Sequence, residues 1–218
     1  MVPQEKRVVL EYQLKEQRFY LKVKRMLDIC CSFMALVIFS FLFFLIAMLI
    51  KIEDKNGSII FKQTRVGKDG RLFNMYKFRS MVSNAEDLKA SLLEYNEVSG
   101  PVFKIRQDPR VTKVGNFLRK TSLDEFPQFI NVLKGEMSLV GPRPPLPMEV
   151  DKYTSYEKQR LSVVPGLTCY WQVSGRSNMD FAEWVELDLK YIKERSTLVD
   201  LMLICKTALV LFGSKNAY

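Results

Sequence analysis

The longest apolar stretch is the most prominent pattern in the chain. Residues Ile29–Ile50 are 22 consecutive positions without a charged side chain, which at about 1.5 Å per helical residue can cross a hydrocarbon core of ~30 Å. Basic residues flank the stretch on both sides, at Lys22, Lys24, Arg25, Lys51, Lys55, Lys62 and Arg65. Because a spanning helix usually has one lysine-poor side, the pattern favours a re-entrant helix with both ends at one membrane face.

Two alternatives to the re-entrant helix stay open. A straight spanning helix has the required length, whereas a buried core helix is disfavoured because a globular core needs only one apolar face. Ser40 lies near the midpoint of the stretch. Its hydroxyl can donate to the carbonyl four residues earlier, which predicts a weak bend there.

The remaining periodicity predicts mostly helices. Residues 2–27 have the pattern of a charged amphipathic helix, and short strands are predicted at Ser58–Val66 and Leu72–Met81 around a turn at Gly67–Gly70. Further helices are predicted at Ser83–Tyr95 with Ser83 as cap, Val111–Lys120, Leu123–Leu133, Glu149–Leu161 and Phe181–Lys193. The apolar segment Thr197–Phe212 contains Asp200 and Lys206, which favours an interfacial helix over a second span.

These elements predict an α+β fold that is mostly helical, with a few short strands. We expect a monotopic domain, inserted from one membrane face, in three regions. Residues 1–28 are expected to form an amphipathic helix, residues 29–50 the re-entrant membrane helix, and residues 51–218 a cytoplasmic domain with interfacial helices.

Charge and composition narrow the chemistry. The formal net charge of +9 favours anionic partners, whether nucleic acid, acidic lipid or phosphorylated small molecules. The chain has no histidine, which excludes a Ser-His triad, histidine acid–base catalysis and histidine-dependent metal sites. Its four cysteines have no C-x-x-C spacing and are interpreted as reduced and structural. Catalysis must therefore depend on carboxylates, cations or a thiol.

The adjacent carboxylates Asp124 and Glu125 are the main candidate site. Helix capping alone can explain them, since Ser122 and Glu125 fit a capping box and acidic residues are favoured in a first turn. Pro127 places the helix start close to the pair. The helix dipole that favours a cap would also hold Asp124 ionised, and a positioned carboxylate can attack phosphorus. The two roles are compatible.

Several ordered motifs resemble the bacterial sugar transferases, the monotopic phosphoglycosyl transferases, over roughly residues 20–218. The matching strings are KRMLDI at Lys24–Ile29, FKQTRVG at Phe61–Gly67, KFRSM at Lys77–Met81, the segment from Asp108 to Pro144 that ends in SLVGPRP, and WQVSGRS at Trp171–Ser177. The resemblance implies transfer of a sugar 1-phosphate from a UDP-sugar to undecaprenyl phosphate, with release of UMP. It places the enzyme at the bacterial inner membrane, with the catalytic domain on the cytoplasmic face.

The resemblance also implies roles for the acidic pair. Asp124 would attack the sugar-bearing phosphorus and carry the phosphosugar as an acyl phosphate, and Glu125 would bind Mg²⁺. Magnesium suits a diphosphate held by few carboxylates and several waters. The string PRPPLP at Pro142–Pro147 and the WQVSGRS loop resemble hexose-phosphate transferases of capsule and exopolysaccharide pathways, which favours UDP-galactose or UDP-glucose.

Cations for two phosphate-bearing substrates lie within the matching motifs. Arginine is favoured because its planar fork suits phosphate oxygens, and the prolines beside Arg143 would present it with little entropy left to lose. The substrate-binding candidates are Arg143, Arg119, Arg79, Arg176, Lys77, Arg65, Arg110 and Gln172. For Arg65 and Arg110 a solvated or headgroup contact is an equal alternative. Asp108 and Asp188 are interpreted as salt-bridge partners.

Two positions depart from the family pattern. Many members have a Ser-Pro pair in the membrane helix, where this chain has Ser40 and Phe41. Cys169 stands where relatives often have a glycine, which predicts a differently shaped loop.

A non-enzymatic alternative is a membrane-anchored basic scaffold of a polysaccharide-assembly complex. The +9 charge and amphipathic segments suit it, but it does not account for the acidic pair. Aromatic signatures of RNA binding are absent, so we expect no nucleic-acid partner. A homodimer is among the oligomeric states left open.

Overall fold

The computed structural model describes residues 18–95, 105, 107–174 and 180–213. Within these ranges the fold is mostly helical with two small sheets, as predicted. The first part of the predicted amphipathic helix, up to residue 17, lies outside the described residues.

The apolar stretch forms two helices that meet at an angle. Helix α1, Arg18–Ile38, passes through the predicted boundary at residues 28 and 29 without a break, and helix α2, Ser40–Glu53, follows after Phe39. The Ser40 hydroxyl donates to the Val37 carbonyl at 2.8 Å, three residues earlier rather than the predicted four. Among the described helices none alone has the length and apolarity of a membrane span, whereas α1 and α2, bent by 61°, meet that test together.

The predicted hairpin is present, with β1 at Ile60–Val66 and β2 at Leu72–Phe78. The strands pair antiparallel from Ile60 opposite Phe78 to Val66 opposite Leu72. The turn between them has positive φ at Asp69 and Gly70, a conformation that only such residues adopt readily. Met81 was predicted inside the second strand but forms an isolated bridge to Val111.

The helices after the hairpin are shorter than predicted. Helix α3 spans Ala85–Lys89 and continues as a 3-10 helix at Ala90–Tyr95, and helix α4 spans Lys113–Lys120. The Thr112 hydroxyl accepts from the Gly115 amide at 2.9 Å, which satisfies an orphan donor at the start of α4. The predicted helix Leu123–Leu133 is instead a 3-10 turn at Leu123–Glu125 followed by α5 at Gln128–Lys134.

The C-terminal half packs around a short parallel pair of strands, β3 at Ser138–Val140 and β4 at Gly166–Thr168. These strands are too short for a periodic signal and were not predicted from the sequence. Gly141 and Gly166 lie so close that a Cβ on Gly166 would meet the Gly141 amide nitrogen at 2.0 Å. The remaining elements are α6 at Pro147–Val150, a 3-10 helix at Glu157–Ser162, α7 at Tyr170–Val173, α8 at Phe181–Glu194 and α9 at Thr197–Gly213.

Three apolar clusters connect these elements. The largest lies between β3, the β4–α7 segment, α8 and α9, around the fully buried Tyr191 and Leu203. A second joins α2 to β2 and α4 through Ile46, Ile50, Phe78 and Leu118. The third places α5 against the hairpin at Met75 and Val132. The hairpin is thereby fixed between the bent helix pair and the turn that carries the acidic residues.

Candidate active site

The acidic pair lies in the 3-10 turn between α4 and α5. Asp124 is 8% exposed and Glu125 is half-buried. Ser122 has a left-handed backbone with φ of 55° and makes no capping bond, so the predicted capping box is absent. The part of the capping interpretation that rested on Ser122 was therefore wrong, whereas Asp124 and Glu125 do lie in the first turn of the 3-10 helix, as that interpretation also predicted.

Lys77 on β2 binds the acidic pair. Its ammonium lies 2.7 Å from Oε1 of Glu125 and 3.9 Å from Oδ2 of Asp124. All three side chains belong to a site that is largely shielded from water, where such charge pairs interact more strongly than in bulk solvent. The sequence separation of Lys77 and Asp124 hides this contact, although the KFRSM motif had indicated Lys77.

Burial sets the acidity of Asp124. Loss of solvation raises the pKa of Asp124 to about 6, and the charge of Glu125 adds to that rise, while Lys77 and Arg119 oppose it. Asp124 is then ionised near neutral pH although it is poorly solvated. A desolvated carboxylate held beside cations is suited to nucleophilic attack on a phosphate.

Arg119 on α4 and Arg79 directly after β2 make different contacts. Arg119 lowers the pKa of Asp124 through its charge and donates from Nε to the Ser80 hydroxyl at 2.9 Å. Arg79 is buried and pairs with Asp54 at 2.5 Å, at the end of α2. A Cβ on Gly57 would lie 1.7 Å from this guanidinium, so a larger residue there would have to displace the end of the Arg79 side chain.

Arg110 is paired close to its own position in the chain. Its guanidinium lies 2.6 Å from Asp108, and this hydrogen bond holds the pKa of Asp108 below its usual range. Asp108 is thus a salt-bridge partner, as predicted. Because Arg79 and Arg110 each bind a carboxylate outside the acidic pair, their role toward substrate stays a prediction.

The proline-rich segment after β3 is held through its carbonyls. Pro142, Pro144 and Pro145 have no N–H, so surrounding donors must fix the segment. These donors are the Gly166 amide to Pro142 at 2.9 Å, Nη1 of Arg65 to Pro144 at 3.1 Å, the Val66 amide to Pro145 at 2.9 Å, and Nη2 of Arg160, which approaches the Arg143 carbonyl at 3.5 Å. The segment is therefore tied to β1, β4 and the Glu157–Ser162 helix.

Arg65 and Arg143 are close enough to affect each other. Burial, and then the charge of Arg143, lower the pKa of Arg65 to about 10, while Glu149 and Glu125 act in the opposite direction. Arg65 remains a cation at neutral pH, and its charge acts on both Arg143 and Glu125, while Lys77 pairs with Glu125 directly. This concentration of positive charge suits a diphosphate.

An aromatic stack lies under Arg143. The guanidinium carbon of Arg143 is 6.0 Å from the Trp171 ring, Trp171 packs on Trp184 at 4.5 Å, and Arg160 lies 5.1 Å from the other ring. Arg160 also pairs with the fully buried Asp188, so that Asp188 is a salt-bridge partner as predicted. Arg160 and Trp184 were missed by sequence reasoning because neither lies in a matching motif.

The remaining candidates lie near this stack or outside the described residues. Gln172 is buried and donates from Nε2 to the Leu167 carbonyl at 2.6 Å, which places it in the β4–α7 segment. Cys169 is fully buried beside Asp188, and burial raises its pKa well above the usual range, so its thiol is protonated. Arg176 lies outside the described residues.

The carboxylates of this site suit a magnesium ion only if substrate phosphates supply further ligands. Among the described residues no group of three or more His, Cys, Asp or Glu side chains is placed to hold a metal ion. The adjacent Asp124 and Glu125 suit the usual magnesium arrangement of one or two carboxylates with waters and substrate phosphates. Glu125, whose side chain is 35% exposed, is the more accessible carboxylate of the two and the one that would bind the ion.

These features define a mostly helical domain that combines a bent apolar helix pair with a buried acidic pair among cations. The chain belongs to the bacterial sugar transferase family, whose profile matches residues 19–214. That match includes nearly all of the described structure.

Individual relatives are similar over most of the chain. It is 48% identical over 209 residues to galactosyl transferase CpsE of Streptococcus agalactiae serotype III, covering 94% of this chain and 46% of CpsE. It is 40% identical to the UDP-glucose:undecaprenyl-phosphate glucose-1-phosphate transferase of Escherichia coli K12, covering 90% of this chain and 41% of the relative. The exopolysaccharide production protein ExoY of Sinorhizobium fredii is 39% identical, and the match covers 89% of this chain and 88% of ExoY. The chain thus spans less than half the length of the first two relatives.

Proposed function

We propose that this chain transfers a sugar 1-phosphate from a UDP-sugar to undecaprenyl phosphate and releases UMP. The observation that carries the proposal is the buried carboxylate of Asp124, with a pKa of about 6, between Lys77, Glu125 and Arg119. The family and the names of the relatives support the same reaction class. The reaction would begin the membrane-bound assembly of a capsule, exopolysaccharide or O-antigen glycan.

The first step is attack by an Asp124 carboxylate oxygen on the sugar-bearing phosphorus. The new P–O bond joins the phosphosugar to Asp124 as an acyl phosphate, and the bond from this phosphorus to the bridging oxygen breaks, so that UMP leaves with the electron pair. No proton is required, because the nucleophile is already ionised above pH 6. We assign Lys77, Arg65 and Arg143 to binding the diphosphate and stabilising the charge that develops, which is supported by the contact of Lys77 with the acidic pair and by the charge of Arg65 acting on Glu125 and Arg143.

The second step returns Asp124 to its starting state. An oxygen of undecaprenyl phosphate attacks the same phosphorus, the bond to the Asp124 oxygen breaks, and the product is a polyprenyl diphosphate sugar. Glu125 would hold Mg²⁺, which when bound neutralises phosphate charge. We assign the contact with the lipid phosphate in this step to Arg119, because its charge acts on Asp124 and its Nε donates to Ser80.

A lipid-linked acceptor requires that the site lie at the membrane surface. We propose that α1 and α2 form a re-entrant pair inserted from the cytoplasmic face of the bacterial inner membrane. The 61° bend and the exposed apolar side chains of both helices, among them Phe33, Val37, Phe41, Phe44 and Met48, support this arrangement. The Ser40 hydroxyl bond to Val37 supplies the bend without the proline that many family members have.

UDP-galactose and UDP-glucose are the sugar donors we favour, because the relatives' names specify galactosyl or glucose transfer. A panel of UDP-sugars with purified protein, Mg²⁺ and undecaprenyl phosphate would identify the donor through UMP release. The Asp124→Asn variant should lose at least ~10³-fold in rate, since it lacks the nucleophile. Asp87→Asn, on the exposed first turn of α3, is the matched control and should retain wild-type activity.

Mass measurement of the intact protein tests the covalent step. With UDP-sugar and no lipid acceptor, the wild type should gain the mass of one hexose phosphate, and Asp124→Asn should not. Equal UMP release by both proteins would disprove the role of Asp124. An absence of UMP release by the wild type with every donor, together with retained binding to anionic lipid, would favour the scaffold alternative.

A further inference from the structure

Lys24 on α1 makes a buried contact next to the active-site segment. Its ammonium lies 2.8 Å from Oδ2 of Asp200 on α9 and 2.8 Å from the carbonyl oxygen of Val140, and its side chain is 11% exposed. Val140 is the last residue of β3, and Gly141, Pro142 and Arg143 follow it directly. The contact therefore joins the helix that leads into the apolar stretch to the segment that carries Arg143.

Lys24 is the donor that the Val140 carbonyl depends on. The Tyr191 hydroxyl lies 3.1 Å from the same carbonyl, but it also lies 2.8 Å from Oδ1 of Asp200. A hydroxyl has one proton, and a bond to a carboxylate is stronger than a bond to a neutral carbonyl. Tyr191 thus donates to Asp200, and Lys24 supplies the hydrogen bond to Val140.

This hydrogen bond fixes the orientation of a single peptide plane. The carbonyl of Val140 and the amide of Gly141 belong to the same planar unit, and the Gly141 amide donates to the Thr168 carbonyl at 2.9 Å. Lys24 binds the carbonyl of this peptide plane, and β4 binds its amide. Loss of Lys24 leaves this plane held only through the Gly141 amide, so its carbonyl side, and with it the direction in which the chain enters Pro142 and Arg143, is less constrained.

We propose that Lys24 is a positioning residue for Arg143, and that α1 thereby links the placement of the apolar helix pair to the phosphate-binding side of the site. The effect on turnover rests on the function proposed above. The local effect on the segment 138–146 does not.

The activity test is a double-mutant comparison. Lys24→Met keeps the length of the side chain and removes both hydrogen bonds, and we expect kcat/KM for UMP release to fall by about tenfold, as small misplacements of binding groups do. In an Arg143→Ala background the same change should cost less than about twofold, because the residue it positions is gone. Equal losses in both backgrounds would overturn the proposal.

Arg25→Met is the matched control for docking of α1. Arg25 follows Lys24 directly on α1, but it donates to the carbonyls of Val132 and Leu133 at the end of α5, at 2.6 and 2.7 Å. If Lys24 acted only by anchoring α1, Arg25→Met would reproduce the tenfold loss and its dependence on Arg143. We expect that it does not.

Hydrogen–deuterium exchange of peptides covering residues 138–146 decides the proposal independently of turnover. The amides should exchange faster in Lys24→Met than in the wild type, and Arg25→Met should leave them unchanged. If Lys24→Met fails to fold because Asp200 becomes an unpaired buried carboxylate, the double variant Lys24→Met/Asp200→Asn removes that charge. The double variant then takes the place of Lys24→Met in both experiments. Unchanged exchange overturns the proposal, whereas a wild type without UMP release contradicts only the proposed function.

Discussion

At the scale of single residues, the environment of Asp124 changes what its sequence context predicts. A carboxylate in a first helical turn should have an ordinary or lowered pKa, because the helix dipole favours its charge. The structure instead buries it in a 3-10 turn next to a second carboxylate, and the pKa rises to about 6 in spite of Lys77. The site therefore keeps a destabilised charge, as expected of a reactive group.

The first prediction concerns the stability of Asp124→Asn. A folded-state pKa raised from 3.8 to about 6 means that the native protein binds this proton more tightly than the unfolded chain does. The stabilisation from the protonated form is complete below pH 3.8 and is lost as pH rises through 6. At pH 8, Asp124→Asn should therefore raise the free energy of unfolding by about 1–3 kcal/mol, and the gain should vanish near pH 4.

Asp108→Asn is the control with the opposite sign. Its hydrogen bonds to Arg110 lower the pKa of Asp108, so the charged form stabilises the fold above the unfolded pKa and loses that effect as pH falls. Denaturant unfolding in detergent at pH 4, 6 and 8 measures both variants. A destabilised Asp124→Asn protein at pH 8 would contradict the assignment of a raised pKa.

At the scale of elements, close backbone contacts place the cations around the acidic pair. The segment from Pro142 to Pro145 lacks most N–H donors and is fixed by hydrogen bonds to its carbonyls. Helix α4 is fixed by the close approach that its glycine, Gly115, permits. A Cβ on Gly115 would lie 2.0 Å from the Ser80 carbonyl oxygen, so α4 touches the backbone after β2. Arg119 reaches Ser80 and the acidic pair because of this approach.

The second prediction is that Gly115→Ala separates α4 from this segment. The added methyl group meets backbone rather than a movable side chain, so we expect a loss of ~2 kcal/mol and a Tm lower by roughly 4–8 °C. UMP release should fall more than stability alone explains, because Arg119 moves with the helix. Asn116→Ala, at an exposed position of the same helix, should leave the Tm within about 2 °C. An unchanged Tm for Gly115→Ala would show that the contact is looser than described.

At the scale of the whole molecule, the apolar helix pair leaves a large hydrophobic surface uncovered. Phe41 and Phe44 on α2 are 70% and 61% exposed, while Ile46 and Ile50 on the same helix are buried against the hairpin and α4. One side of α2 thus packs against the rest of the fold, and the other side is exposed. Exposed apolar surface of this extent is typical of membrane contact.

The third prediction is that Phe44→Glu weakens binding to vesicles of phosphatidylglycerol and phosphatidylethanolamine. Removing one exposed phenyl ring from the apolar phase should cost about 1.5–3 kcal/mol, or roughly a tenfold or greater loss of partitioning in a flotation assay. Leu72→Glu is the matched control, since Leu72 is 64% exposed at the turn end of the hairpin, opposite the end that packs on α2. Equal losses for both variants would contradict a membrane surface confined to the helix pair.

The sequence by itself determined the elements whose signals are local. The uncharged stretch, the hairpin around Gly67–Gly70 and the helix at Thr197–Phe212 follow from hydrophobic periodicity and turn residues, and the described residues contain a helix pair, a hairpin and a helix at those places. The ordered motifs also identified the family, which the profile match confirms. Residue types alone left Asp124 and Glu125 open between a helix cap and a chemical group, and the resemblance to the family indicated these two residues and Lys77 as site residues.

Only the tertiary structure decided how these residues act on one another. Asp124 and Lys77 are distant in sequence, so neither the raised pKa nor the ion pairs of the site can be inferred from local patterns. The parallel strands β3 and β4 are too short for a periodic signal, yet they set the position of Arg143. Lys24, Arg160 and Trp184 acquire their roles through contacts with remote segments, because burial and charge depend on neighbours in space and not on neighbours in the chain.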